Sequence, residues 1–348
     1  MLKAVYMKKT LLFKEAAVTS RGVMMEKGSW FVKVWDEACP ERFGLGECAL
    51  FPGLGAEEVS GYETRLKEAC ARINDFRPEE WRAHSSICFG METALADLRN
   101  GGVRTPFPSA FTRGEREIEI NGLVWMGSLR QMMRRAEEKL EAGFRCLKLK
   151  IGGIDFHDEL ELLRLIRSRF PAGEVQLRVD ANGAFTPREV LRKLEQLARY
   201  ELHSVEQPVR PGQWQAMGTL CRKSPVPVAL DEDLIGITSR KEKIRLLETA
   251  APRYIVLKPA LAGGFAACDE WIALAGECGA GWWITSALES DVGLNAIAQW
   301  CATKHSVLPQ GLGTGQLYRN NIPSPLLQRG STLAFRPEGA WDLQSLTF

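Results

Sequence analysis

Histidine is scarce in this 348-residue chain and cysteine lacks any pairing pattern. The four histidines, His84, His157, His203 and His305, show no ligand spacing, and the nine cysteines contain no Cys-x-x-Cys, so structural zinc is not expected. An odd number of thiols, several of them in apolar runs (Cys88, Cys146, Cys301), reads as free cysteine in a reducing compartment. Charge of one sign is also lacking: 45 Lys and Arg stand against 43 Asp and Glu, a formal net charge of +2. That balance gives no reason to expect a nucleic-acid partner or a membrane surface. No run of about 18 uncharged apolar residues occurs, and the opening MLKAVYMKKTLLFKEAAV is broken by Lys3, Lys8, Lys9, Lys14 and Glu15. With neither a spanning segment nor a signal-peptide core, a cytoplasmic location is expected. A Gly-rich phosphate fingerprint after the first strand is missing too, which counts against a doubly wound sheet.

What is present is an alternation of short apolar strands and amphipathic helices. Residues 2–14, 29–36 and 42–48 read as strands and 56–74 and 86–100 as helices, forming a small α+β unit. The Pro- and Arg-rich stretch TPFPSAFTRGER then marks a boundary near residue 115. From there strands are expected at 117–125, 146–152, 175–183, 203–209, 227–233, 254–261, 281–288 and 310–315. Ser128 is the expected N-cap of one intervening helix; Thr186, with Pro187 at the first helical position, is expected to cap another. Eight such units predict an α/β fold: a modified (β/α)8 TIM-type barrel over 116–319, with an N-terminal α+β capping domain over 1–115 that residues 320–348 complete.

The polar residues of these strands fall into register. In CLKLKIG, period 2 puts Leu147, Leu149 and Ile151 on one face and Cys146, Lys148 and Lys150 on the other. Asp180, Glu206, Asp231 and Lys258 each end a strand, and from Lys150 to Ser286 such residues recur every 25 to 30 positions. The C-terminal ends of barrel strands build the active-site face. Taken singly, each carboxylate is an ordinary solvated charge. Three in consecutive units, flanked by lysines, repel one another unless a cation sits among them, and an all-oxygen set suits a hard divalent ion such as Mg2+. Glu232 and Asp233 are taken as supporting or surface groups.

As an ordered set, Lys148-x-Lys150, Asp180-x-Asn182, Glu206-Gln207-Pro208, Asp231-Glu232 and Lys258-Pro259 resemble the motifs of the enolase superfamily, in its muconate-lactonizing subgroup. Within that subgroup INGLVWMG (120–127), ITSALESDVGLNAIAQW (284–300) and GLGTG (311–315) are similar to the o-succinylbenzoate synthase family. A mandelate-racemase type needs a His base on the seventh strand, where Thr285 and Ser286 stand. A dipeptide epimerase is expected to carry Asp-x-Asp on the eighth, and residues 311–314 contain no acid.

The resemblance implies a lyase of menaquinone biosynthesis, using Mg2+ (or Mn2+) held by Asp180, Glu206 and Asp231. It implies Lys150 as the base that becomes the acid of a syn dehydration, with Lys148 and Lys258 as electrostatic stabilisers. A lysine serves as base near neutral pH only if its ammonium form is disfavoured, and Lys148 beside Lys150 is expected to supply that. Ser286, Gly313, Thr314, Asn182 and Arg21 are the expected substrate contacts, with a small-molecule carboxylate as substrate. The loops 19–26, with Met24 and Met25, and 47–55 are expected to close over it. Rival readings are an N-succinylamino-acid racemase, a metal-free Schiff-base lysine barrel and a non-catalytic barrel. The sequence gives no reading of oligomeric state.

Overall fold

The computed structural model describes residues 1–19 and 22–348. Three antiparallel strands open the chain: β1 (Leu2–Thr19), β2 (Gly22–Asp36) and β3 (Cys39–Cys48), in the order β1-β2-β3. Helices α1 (Tyr62–Ala71), α2 (Pro78–Trp81) and α3 (Ser85–Arg99) follow. The helices cover one face of this sheet, and Trp30, Val32, Val34, Leu66, Ile87 and Met91 are buried between them. β3 lies so close to α3 that a Cβ on Gly46 would stand 1.9 Å from the carbonyl oxygen of Gly90.

Next come β4 (Ile118–Glu119), β5 (Gly122–Val124), α4 (Leu129–Glu141), β6 (Cys146–Lys150), α5 (Phe156–Arg169), β7 (Gln176–Asp180) and α6 (Val190–Leu197). The alternation continues through β8 (Ser204–Glu206), α7 (Trp214–Lys223), β9 (Val228–Leu230), α8 (Arg240–Ala250), β10 (Tyr254–Leu257), α9 (Gly264–Glu277), β11 (Gly281–Ile284) and α10 (Asp291–Ala302). β5 to β11 form one parallel sheet in sequence order. Its ends meet through residues 310–311, which bridge to Ile120 on one side and to Thr285 on the other. The expected eighth strand is thus present as a clasp of single bridges, and the (β/α)8-type ring closes over it. The Gln310 side chain does part of a strand's work, accepting from Ile284 N at 2.7 Å.

The helix starts show how local chemistry sets the boundaries. Ser128 caps α4 as expected: its Oγ accepts from Gln131 N, and the Gln131 side chain accepts from Ser128 N at 2.9 Å. Thr186 does not cap α6. Residues 187–189 form a turn, Thr186 N donates to Glu189 Oε1, and the helix begins only at Val190.

The C-terminal strands β12 (Leu326–Arg329) and β13 (Thr332–Phe335) pair with each other and with β4, not with the β1–β3 sheet. Residues just before them do reach the first unit: Lys14 N donates to Leu317 O and Arg319 N to Leu12 O, each at 2.8 Å. A further joint is buried. Glu47 at the end of β3 accepts from Ser290 N and Gly293 N, both at 3.0 Å, and so caps α10 from across the contact between the two units.

Candidate active site

The parallel register decides which side chains meet. Leu123, Lys148 and Arg178 lie side by side, as do Lys150, Asp180 and Glu206 on the next row of the same face. Both lysines of CLKLK therefore point inward with the acids, while Leu147 and Leu149 are fully buried in the core between sheet and helices. Asp180, Glu206 and Asp231 are each no more than 1% exposed.

Lys148 Nζ lies 2.9 Å from Asp180 Oδ2 and 2.6 Å from Glu206 Oε1. Lys150 Nζ lies 2.7 Å from the same Asp180 oxygen and 2.8 Å from Asn182 Oδ1. Across the site Lys258 Nζ pairs with Asp231 Oδ2. Burial by itself would depress the Lys148 ammonium, but the facing Asp180 and Glu206 outweigh it and hold it above its ordinary value. Burial would likewise raise Asp180, yet Lys148 and Lys150 pull it well below the carboxylate range. For Glu206 burial wins, helped by the charge of Asp180, and its carboxyl is pushed well up.

The supporting groups are set by backbone turned away from the sheet. Asn182, at φ 45°, receives Lys150 on its Oδ1 and donates its Nδ2 to Glu232 Oε1 at 3.0 Å. Gln207, at φ 39°, accepts from Asp231 N and donates to Asp233 Oδ2 at 2.7 Å, thereby fixing the turn that carries Asp231. Glu232 and Asp233 are 5% and 3% exposed, so neither is a surface group. The chain folds back there in one helical turn, and that turn brings both acids inward.

A pocket opens above this cluster, lined by Lys148, Lys150, Lys258 and Asn182 on one side and by Thr285, Ser286, Gly313 and Thr314 on the other. Ser286 and Thr314 share a 2.6 Å hydroxyl contact. Phe51 and Leu54 from the 47–55 loop form part of its wall. Met24 instead packs against the main core and Met25 is exposed, so among the described residues the 19–26 loop does not line the pocket. Arg21 lies outside the described residues. Sequence reasoning passed over Asn121, Leu123 and Trp125, which also line the pocket. Their spacing of two, the same signal that singled out the lysines, was there to find them.

The donor set suits a hard divalent cation. Every candidate ligand atom is a carboxylate oxygen, and Glu206 Oε2 is buried with no hydrogen-bond partner. In this structure the three acids lean on lysine ammoniums, and among the described residues no group of three or more His, Cys, Asp or Glu side chains is gathered as a ready cage.

Residues 131–334 match the family described as "Enolase C-terminal domain-like". The chain is 43% identical to the o-succinylbenzoate synthase of Desulfotalea psychrophila, over 94% of this chain and 97% of that one. It is 34% identical to the N-succinylamino acid racemase of Thermus thermophilus, over 79% and 75% of the two. The crystal structure of MenC from Desulfotalea psychrophila superposes with a TM-score of 0.85 at 39% identity, covering 96% of this chain and 99% of that one. Strand-end acids between inward lysines, and a likeness that runs from one end of the chain to the other, lead to one conclusion: the chain belongs to the enolase superfamily, among the relatives of o-succinylbenzoate synthase.

Proposed function

We propose that the chain is an o-succinylbenzoate synthase, a lyase that removes water from 2-succinyl-6-hydroxy-2,4-cyclohexadiene-1-carboxylate to give 2-succinylbenzoate for menaquinone biosynthesis in the cytoplasm. The observation that carries this reading is the 43% identity to the Desulfotalea enzyme over nearly the whole of both chains. The pocket supports it by pairing lysines with an apolar wall and a row of hydroxyl groups. The absence of any helix long and apolar enough to cross a membrane, among the described residues, is compatible with it.

Asp180, Glu206 and Asp231 would hold Mg2+ or Mn2+, which when bound supplies a fixed positive charge for the negative charge developing on the substrate carboxylate. Lys150 takes the proton from C1, where the carboxylate acidifies the C–H bond. The electron pair of that bond becomes the C1–C6 π bond as the C6–O bond breaks. Lys150 then returns its proton to the departing hydroxyl, water leaves, and the ring becomes aromatic. Asn182 aims Lys150 through their 2.8 Å hydrogen bond. Lys148 and Lys258 add positive charge on either side. Ser286, Thr314 and the backbone at Gly313 receive the succinyl arm, with Arg21 as a contact from the capping side. Residues 1–115 act as the capping unit over a barrel of 116–319.

The test follows the dienyl chromophore of the cyclohexadiene acid, which the protein with Mg2+ should consume. A second reading, racemisation of N-succinylamino acids, is favoured by the 34% identity to the Thermus racemase. Deuterium exchange into N-succinylamino acids with no loss of chromophore would replace the synthase by that reading.

A further inference from the structure

Among the described residues, the Asn121 side chain in the pocket has no protein partner. Asn121, 4% exposed, lines the pocket with its Oδ1 buried and unbonded, and no hydrogen bond from its Nδ2 occurs among the described residues. Several neighbours there are already engaged: Thr285 donates to Gly311 O, Ser286 and Thr314 share one hydrogen bond that leaves one hydroxyl hydrogen for a ligand, and Asn182 is engaged at both ends. The backbone of Asn121 is pinned. Its N donates to Gln310 O at 2.9 Å, and Ile120 bridges to Gln310 in parallel register.

No donor among the described residues is bonded to Oδ1. Leu123 and Trp125, the next residues along the same inner face, are apolar or partly so at the pocket wall. Gly311, beside Asn121 in the register, has no side chain, and a Cβ there would meet Thr285 Oγ1 at 2.3 Å. A buried carbonyl oxygen left unbonded has given up its hydrogen bond to water with nothing in return. A ligand that brings an O–H or N–H recovers that loss.

This inference rests on the proposed function. The substrate proposed above carries two carboxylates and a ketone, all of which only accept near neutral pH. Its single donor is the ring hydroxyl. We propose that Asn121 binds the hydroxyl that departs in the dehydration, with Oδ1 accepting the hydroxyl hydrogen. This bond leaves the oxygen's lone pairs open to the proton returned by Lys150, and the departing water keeps its hydrogen bond to Asn121. The aromatic product has no donor at that position, so the contact separates substrate from product.

The experiment pairs kinetics with calorimetry on Asn121→Leu, with Asn121→Ser as the variant to use if the leucine form does not fold. Expected is a fall of about tenfold in kcat/KM for the hydroxy acid, the size of one lost hydrogen bond. The Kd for 2-succinylbenzoate, measured by titration calorimetry, should stay within about twofold of wild type. Product binding weakened by the same factor as kcat/KM would place Asn121 on the carboxylate or the succinyl arm and overturn the assignment. So would a variant unchanged in both readouts beside an active wild type. A wild-type protein that dehydrates nothing overturns the function itself, and this assignment with it.

Discussion

Lys148 and Lys150 stand two residues apart on one strand face yet meet different surroundings. Lys148, 8% exposed at its side chain, is locked between two buried carboxylates, whereas Lys150, 16% exposed, reaches the pocket and holds one acid and one amide. Truncating each should therefore fail in a different way. Lys150→Ala is expected to lower kcat by about 10²–10⁴-fold, the worth of a positioned general base, with an unchanged melting temperature. Lys148→Ala leaves Asp180 and Glu206 buried without their shared cation and should cost about 3–5 kcal/mol of stability as well as activity. Urea denaturation beside steady-state kinetics separates the two; equal stability losses would refute the division of roles. The inward pair was legible from alternation alone, and the acids from their recurrence at strand ends. Gln207 was not, because its partners Asp231 and Asp233 lie 24 and 26 residues away and no local pattern announces such a bond.

Among the elements, β3 and α3 meet with almost no side chain between them. Gly44 faces Ala94, and Gly46 faces Gly90, at distances that leave no room for a methyl group. Gly46→Ala must push the helix from the sheet and is expected to cost about 1–3 kcal/mol or more, read as a lower urea midpoint. An unchanged midpoint would mean that the helix moves away freely. Element type was readable where caps and periodicity agree, as for α4 with its Ser128–Gln131 box. It was misread where they compete. Thr186-Pro187 has the composition of a helix start, but the Glu189 side chain turns back onto Thr186 N and holds a turn there. Residues 310–315 alternate only weakly, because their strand-like role rests on two bridges and on the Gln310 side chain.

At the scale of the whole molecule, acids buried without full compensation make stability depend on pH. Burial raises Glu57, Glu92 and Glu289 to about 7 from an ordinary 4.5. Glu57 accepts from Ser86 N, and Glu92 from Phe265 N and Ala266 N at the start of α9. Between about pH 4.5 and 7 the folded chain keeps protons that the unfolded chain has released, so stability falls as pH rises through that window and levels off above it. The loss is on the order of 1–3 kcal/mol per group, measured as the urea midpoint from pH 5 to 8; a midpoint that rises across that window would contradict it. The division into a capping unit and a barrel was suggested by the Pro- and Arg-rich stretch. The buried Glu47 link to α10 was invisible, since nothing in the sequence brings residues 47 and 290 together. The clasp at residues 310–311 has a consequence of its own. A ring closed by single bridges is weakest there, and transient opening at the clasp would admit solvent to amides that elsewhere in the barrel stay sealed. Deuterium should therefore replace the amide hydrogens of Asn121 and Gly311 earlier than that of Leu149, and a bound ligand should slow the first two more than the third.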